Sequence, residues 1–294
     1  MKCLGIFLFE AFGKILGILP KRAIYTFADL LYFIGYYVIK YRRKVVYENL
    51  KNAFPEKSEK EIRSVAKGFY HHLSDVMIEN IVSLFMKPAK IKKFVSFRNI
   101  EVLTNLYNKN KNITGLIGHY GNWEFLTAVP PHTSYDVLSV YKPLRNQFFD
   151  RKTYEMREKL DAIPVPMKKV YKVITSYEKS RQPYILGMVA DQSPPQREIN
   201  YWTTFMNQDT AFFTGSEKIA RRFNHAIVFT VVHKIKRGHY EVEFTELFEN
   251  ASETKENEIT EAYARNLESI IREKPEYWLW SHRRWKHKRN KNVV

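Results

Sequence analysis

Apolar residues recur at three- and four-residue spacing through Ile62, Val65, Ala66, Phe69, Leu73, Val76, Met77, Ile81, Leu84 and Phe85, a pattern that predicts one long amphipathic helix. Its start is marked, because Ser58 with Glu61 three positions on, just after Pro55, forms a capping-box signature. Beyond Pro88 the pattern changes to short β-rich runs at 113–117, 135–141, 184–190, 226–235 and 240–247. Helical or polar segments lie between them, at 145–162, 167–180, 212–224 and 255–273. Strands separated by helices predict an α/β sheet with helices on its faces. Only Lys236, Arg237, Gly238 and His239 divide the last two runs, so these read as a hairpin and the sheet is expected to be mixed.

Ahead of the long helix the chain is more apolar. Residues 4–19 are almost all apolar or glycine, and the two charges among them, Glu10 and Lys14, stand four apart and so share one helical face. Pro20, Lys21 and Arg22 interrupt, and a second apolar run, 23–39, carries only Asp29 before the basic cluster Lys40, Arg42, Arg43 and Lys44. Each run is too short or too broken to read as a membrane span, which needs about 20 apolar residues. A cleaved secretory signal fits poorly, since Lys2 is a thin basic region and no small-residue cleavage site follows. Two readings stand: ordinary core helices, or helices lying in the plane of a membrane. An over-wide apolar face, Tyr36, Tyr37 and Tyr41 near its end, and cations able to reach lipid phosphates all favour the second. We therefore expect a membrane-associating unit at 1–44 and one α/β domain at 45–294.

Composition narrows the picture. The 294 residues are 45% apolar, enough to form a core, and no linker-like stretch divides them. The single cysteine, Cys3, excludes intramolecular disulfides and cysteine-cluster metal sites, and fits a reducing compartment. A formal charge of +17 calls for an anionic partner, either nucleic acid or an anionic membrane. The sequence contains no recognised nucleic-acid-binding motif, so that reading rests on charge alone. Aromatic residues at 15% favour an interface between apolar and wet surroundings.

The chemistry concentrates in Ile117, Gly118, His119, Tyr120, Gly121, Asn122, Trp123 and Glu124. An apolar strand ends at Gly118, Gly121 permits close backbone approach, and Asn122 is a good N-cap for a helix starting near Trp123. His119 then sits at the carboxyl end of a strand, where open α/β sheets place their ligand crevice. If the turn folds back, Glu124 can hold one imidazole nitrogen and leave the other to take a proton from a hydroxyl. The alternative is a structural histidine beside an ordinary glutamate.

The stretch from Gly118 to Glu124 resembles the His-x4-Glu block of the bacterial lysophospholipid acyltransferase-like family that includes the lipid A late (secondary) acyltransferases. Further blocks follow in that family's order. Asn49, Leu50, Ala53, Phe54, Pro55 and Glu56 are similar to its "NL..aFPe" element. Val140, Tyr141, Lys142, Pro143, Leu144, Arg145 and Asn146 are similar to "vYrp..N", and Ala190, Asp191 and Gln192 to its "D-Q" strand end. Pro275, Tyr277, Trp280, His282, Arg283, Arg284, Trp285 and Lys286 resemble the terminal "P.qy.W.HrRfK". The likeness spans residues 45–286.

The resemblance implies a glycerolipid-acyltransferase-like α/β fold and an enzyme on the cytoplasmic face of a bacterial inner membrane. It would move a fatty acyl group from acyl carrier protein, acyl-CoA or another thioester to a hydroxyl of a lipid A precursor or related glycolipid. A lysophospholipid or aminolipid is the alternative acceptor. By the same resemblance His119 is the general base and Glu124 its orienting partner, with direct attack on the thioester, no acyl-enzyme and no cofactor or metal. Anionic inner-membrane lipids are expected partners, and nucleic acid is not. Candidate substrate contacts are Asn122, Lys142, Asn146, Asp191, Arg283 and Arg284. Lys142 stands where many family members have Arg, which keeps the charge but loses a bidentate grip. Asp191 either orients a basic residue or the acceptor, or caps a loop around Pro194 and Pro195. Arg283 and Arg284, between Trp280 and Trp285 in a basic run extending to Lys291, are expected near a lipid head group.

Overall fold

A computed structural model describes residues 2–289; Lys291 of the basic run lies outside them. Four helices lead the chain: α1 (Lys2–Ile18), α2 (Lys21–Phe33), α3 (Arg43–Ala53) and α4 (Glu59–Ser83). Then come α5 (Pro88–Ile91), β1 (Val95–Arg98), α6 (Glu101–Asn108), β2 (Ile113–Ile117), β3 (Asp136–Tyr141), α7 (Gln147–Glu158), β4 (Ala162–Pro166) and α8 (Val170–Ser180). The remainder holds β5 (Tyr184–Val189), β6 (Tyr201–Phe205), β7 (Gln208–Phe212), α9 (Gly215–Phe223), β8 (Ala226–Lys236), β9 (His239–Phe248) and α10 (Glu258–Glu273).

Seven strands form the central sheet in the order β1-β9-β8-β2-β5-β3-β4, while β6 and β7 pair separately as a hairpin. The β8–β9 pair is antiparallel and every other pair in the central sheet is parallel, so the sheet is mixed, as the hairpin spacing implies. The strand β2 lies near the middle with parallel neighbours on both sides, and its residues 113–116 are buried. That accounts for its unbroken apolar run, since a strand covered on both faces has no polar side to alternate with.

Helices cover both faces, and besides a smaller cluster of β3, β4, β5 and α8 around Leu138, Ile174 and Leu186, two large cores result. One packs α3, the first half of α4 and α10 against the sheet through Phe54, Phe69, Tyr263 and Trp280. The other packs α2, the end of α4 and α6 through Ile24, Ile78, Val82 and Leu103. The long helix thus serves both cores, and its capping box forms as expected: Ser58 N donates to Glu61 Oε2 at 2.8 Å and Glu61 N to the Ser58 hydroxyl at 3.4 Å.

Beyond Phe33 the chain continues through one π-helical turn, Ile34–Val38. The α2 helix is tied to the body by charge, because Arg237 in the β8–β9 turn reaches both Asp29 and the buried Asp75 of α4 at 2.6 Å. The outer side is different. Phe7, Leu8, Ile15 and Ile18 of α1, Leu30 and Phe33 of α2, and Val38 and Ile39 beyond them are all exposed. No described helix is long and apolar enough to cross a membrane.

Candidate active site

The parallel pairing of β2 with β5 builds the site. Ile117 is in register with Val189, and the next amide, Ala190 N, donates to Ile117 O at 3.0 Å. Both chains therefore leave the sheet at the same edge, and each places a functional residue two positions beyond its last strand residue: His119 from β2 and Asp191 from β5. Their side chains meet. His119 Nδ1 donates to Asp191 Oδ1 at 2.6 Å, and the His119 backbone N–H donates to Oδ2 at 2.9 Å. A third donor, the Trp278 indole, reaches Oδ2 at 2.8 Å.

The loop that carries His119 is held on three sides. Gly121 has φ +61°, and a Cβ there would lie 1.9 Å from the Val232 carbonyl, so only glycine fits. Its N–H donates to Tyr277 O at 3.0 Å, its carbonyl meets His72 Nε2 at 3.2 Å, and Leu279 N donates to His119 O at 3.1 Å. Below, Asn122 Nδ2 donates to the buried Glu79 carboxylate at 2.8 Å, and Glu79 also accepts from the hydroxyls of Tyr25 and Tyr240 at 2.6 and 2.7 Å.

Electrostatics favour a carboxylate and an imidazole with high proton affinity. Burial alone would raise the Asp191 pKa, but the His119 charge and the donors around its oxygens bring it down to about 2. Burial likewise works against the His119 imidazolium; the Asp191 charge and hydrogen bond, with a smaller push from the Glu124 charge, outweigh it and raise the pKa. Because Asp191 is an acceptor only, Nδ1 carries the proton and Nε2 is the free lone pair. The side-chain amide of Gln192, an exposed residue, stands 3.0 Å from Nε2, and the His119 side chain is 15% exposed.

Glu124 departs from expectation. Its segment, Trp123–Ala128, is a 3₁₀ helix rather than an α-helix, and both carboxylate oxygens accept from Arg157 Nη2 of α7 at 3.0 Å. Glu124 therefore does not hold the imidazole; it is itself held by the Arg157 guanidinium, and Asp191 bonds the imidazole in its place. Of the expected substrate contacts, Asn122 is fully buried on Glu79 and faces no opening. Asn146 is the N-cap of α7, its Oδ1 accepting from Phe148 N and Phe149 N at 3.0 and 3.4 Å. Arg284 is 2% exposed, with its guanidinium 4.6 Å from the Phe212 ring centre, which removes it from any head group. None of its guanidinium nitrogens has a hydrogen-bond partner among the described residues, and burial depresses its pKa to about 10. Lys142 and Arg283 are exposed, Lys142 directly after β3 on the edge that carries His119. The sequence reading missed Arg157, Glu79 and Trp278, whose partners lie far away along the chain.

The family model described as Bacterial lipid A biosynthesis acyltransferase matches residues 1–287. The chain belongs to that family. Two curated relatives of this acyltransferase are distant in sequence. The Lipid A biosynthesis palmitoleoyltransferase of Escherichia coli (strain K12) is 20% identical over 249 residues, covering 84% of this chain and 80% of that one. The Lipid A biosynthesis acyltransferase of Shigella flexneri shows the same identity and coverage.

Proposed function

We propose that this acyltransferase moves a fatty acyl group from acyl carrier protein, or another acyl thioester such as acyl-CoA, to a hydroxyl of a lipid A precursor or a related glycolipid. The observation that carries the mechanism is the 2.6 Å contact between His119 Nδ1 and Asp191, which leaves Nε2 free to act as a base. The acceptor hydroxyl displaces the Gln192 amide and gives its proton to Nε2 as its oxygen attacks the thioester carbonyl. Asp191 stabilises the resulting imidazolium without taking its proton. Collapse of the tetrahedral intermediate expels the donor thiolate, which recovers the proton from Nε2. No covalent acyl-enzyme is needed. The Glu124–Arg157 pair lies close enough for its carboxylate charge to favour the imidazolium, and Lys142 and Arg283 are the candidate substrate cations left exposed.

The exposed apolar side of α1 and α2 is the proposed membrane seat, lying in the plane of the bilayer at the cytoplasmic face of the inner membrane, with residues 1–44 as the associating unit. Family membership supports a lipid A acceptor, and no feature of the site favours a lysophospholipid or aminolipid.

Transfer of a labelled acyl chain from acyl carrier protein to the lipid A precursor tests this reading. His119→Ala is expected to lower the rate by about 10²–10⁴-fold, the usual contribution of a general base, with an unchanged circular dichroism spectrum. Normal turnover by a folded variant would contradict it.

A further inference from the structure

An open groove of about 630 Å³ lies between the π-helical turn, α3 and the first half of α4, away from the residues around His119. Five cations and two carboxylates line it. The carboxylates are engaged: Glu59 with Lys51 and, at 3.9 Å, Arg63; Glu48 with Lys44 at 3.9 Å. Arg43 and Lys67, in contrast, have no carboxylate partner among the described residues, though both line the groove. Arg43 is held by aromatic rings, its guanidinium 4.6 Å from the centre of Tyr36 and 5.8 Å from that of Tyr47. The hydroxyls of those two tyrosines meet at 3.0 Å, a contact that uses only one of their two O–H donors.

We propose that this groove binds the phosphate of an anionic lipid head group. Arg43 supplies a planar fork suited to phosphate oxygens, Lys67 a point charge and the tyrosine pair a hydroxyl donor. The lipid source follows from position. Tyr37 lines the groove and is 45% exposed, and it leads directly into exposed Val38 and Ile39 of the apolar side. A phosphate seated in the groove would therefore have its acyl chains beside that apolar surface, an arrangement that a soluble phosphate does not use. The proposal rests on the reading of the N-terminal side as membrane-seated.

Cosedimentation of the full chain with phosphatidylcholine vesicles, alone or mixed with phosphatidylglycerol, tests it. Removing two surface cations near a bilayer costs about fivefold each, so Arg43→Gln with Lys67→Gln is expected to weaken binding to the mixed vesicles by roughly 25-fold. Binding to phosphatidylcholine alone is expected to persist, because the apolar side is intact. The charge-matched control, Lys168→Gln with Lys169→Gln on the exposed turn after β4, is expected to bind as the unaltered protein does. Equal losses in the two double variants would reduce the effect to net charge and overturn the groove assignment. Release from mixed vesicles by inorganic phosphate, but not by chloride at the same ionic strength, would assign the groove to free phosphate and overturn it as well. If the unaltered chain binds both vesicle types equally and so do the variants, the groove proposal fails while membrane seating stands. If it binds neither, both fail.

Discussion

Two carboxylates approach the same imidazole, and they are held in opposite ways. Asp191 is 72 positions from His119 along the chain yet bonds it twice, and its other oxygen also takes the Trp278 indole. Glu124 follows His119 by five positions and gives both oxygens to Arg157. The difference teaches that strand register, not nearness in sequence, decides which acid orients the base. Parallel neighbours β2 and β5 end level with each other, so residues just past their ends are forced together. A 3₁₀ turn after the loop turns Glu124 towards α7 instead.

The largest effect expected from breaking this contrast is at Asp191. Asp191→Asn keeps the shape but removes the charge that stabilises the imidazolium, and a loss of about 10²–10⁴-fold in the rate of transfer is expected, measured at saturating donor and acceptor. Next comes the other pair. Glu124→Gln and Arg157→Gln are each expected to cost about 10–100-fold, and the double variant no more than the worse single one, because members of one ion pair act as a unit. Additive losses in that cycle would show that the two residues work separately. Gln192→Ala should have the smallest effect, within about threefold in kcat, since the amide only occupies the place that the acceptor hydroxyl takes. A collapse of kcat there would give Gln192 a direct part in the chemistry.

Much of the sheet was legible. The runs at 113–117, 184–190, 226–235 and 240–247 correspond to β2, β5, β8 and β9, because strands buried on both faces or joined by a short turn leave strong local patterns. The edges were not. The strand β4, Ala162–Pro166, contains Pro164 and Pro166, which argue against a strand unless it lies at the rim, and β4 is the last strand in the sheet order. The β6–β7 hairpin was missed too. Its turn, Met206–Asn207, places both residues at positive φ, and methionine gives no turn signal there.

The site was legible in part. His119 at a strand end followed from the apolar run and the glycines around it, and the Asp191 strand end was visible as a second block. Which acid held the base was not visible, because pairing between β2 and β5 is set by the whole sheet. Nor did sequence distinguish a cap from a contact: Asn146 reads alike whether it binds substrate or starts α7.

The most direct test is the pH dependence of kcat/KM. A base must be deprotonated to act, so the rate should rise with pH through an apparent pKa above the ordinary histidine value of about 6.5, because Asp191 raises that of His119. Asp191→Asn is expected to move this acid limb to lower pH, and Glu124→Gln to move it less. A limb that stays in place in Asp191→Asn but shifts in Glu124→Gln would contradict the account and return the orienting role to Glu124.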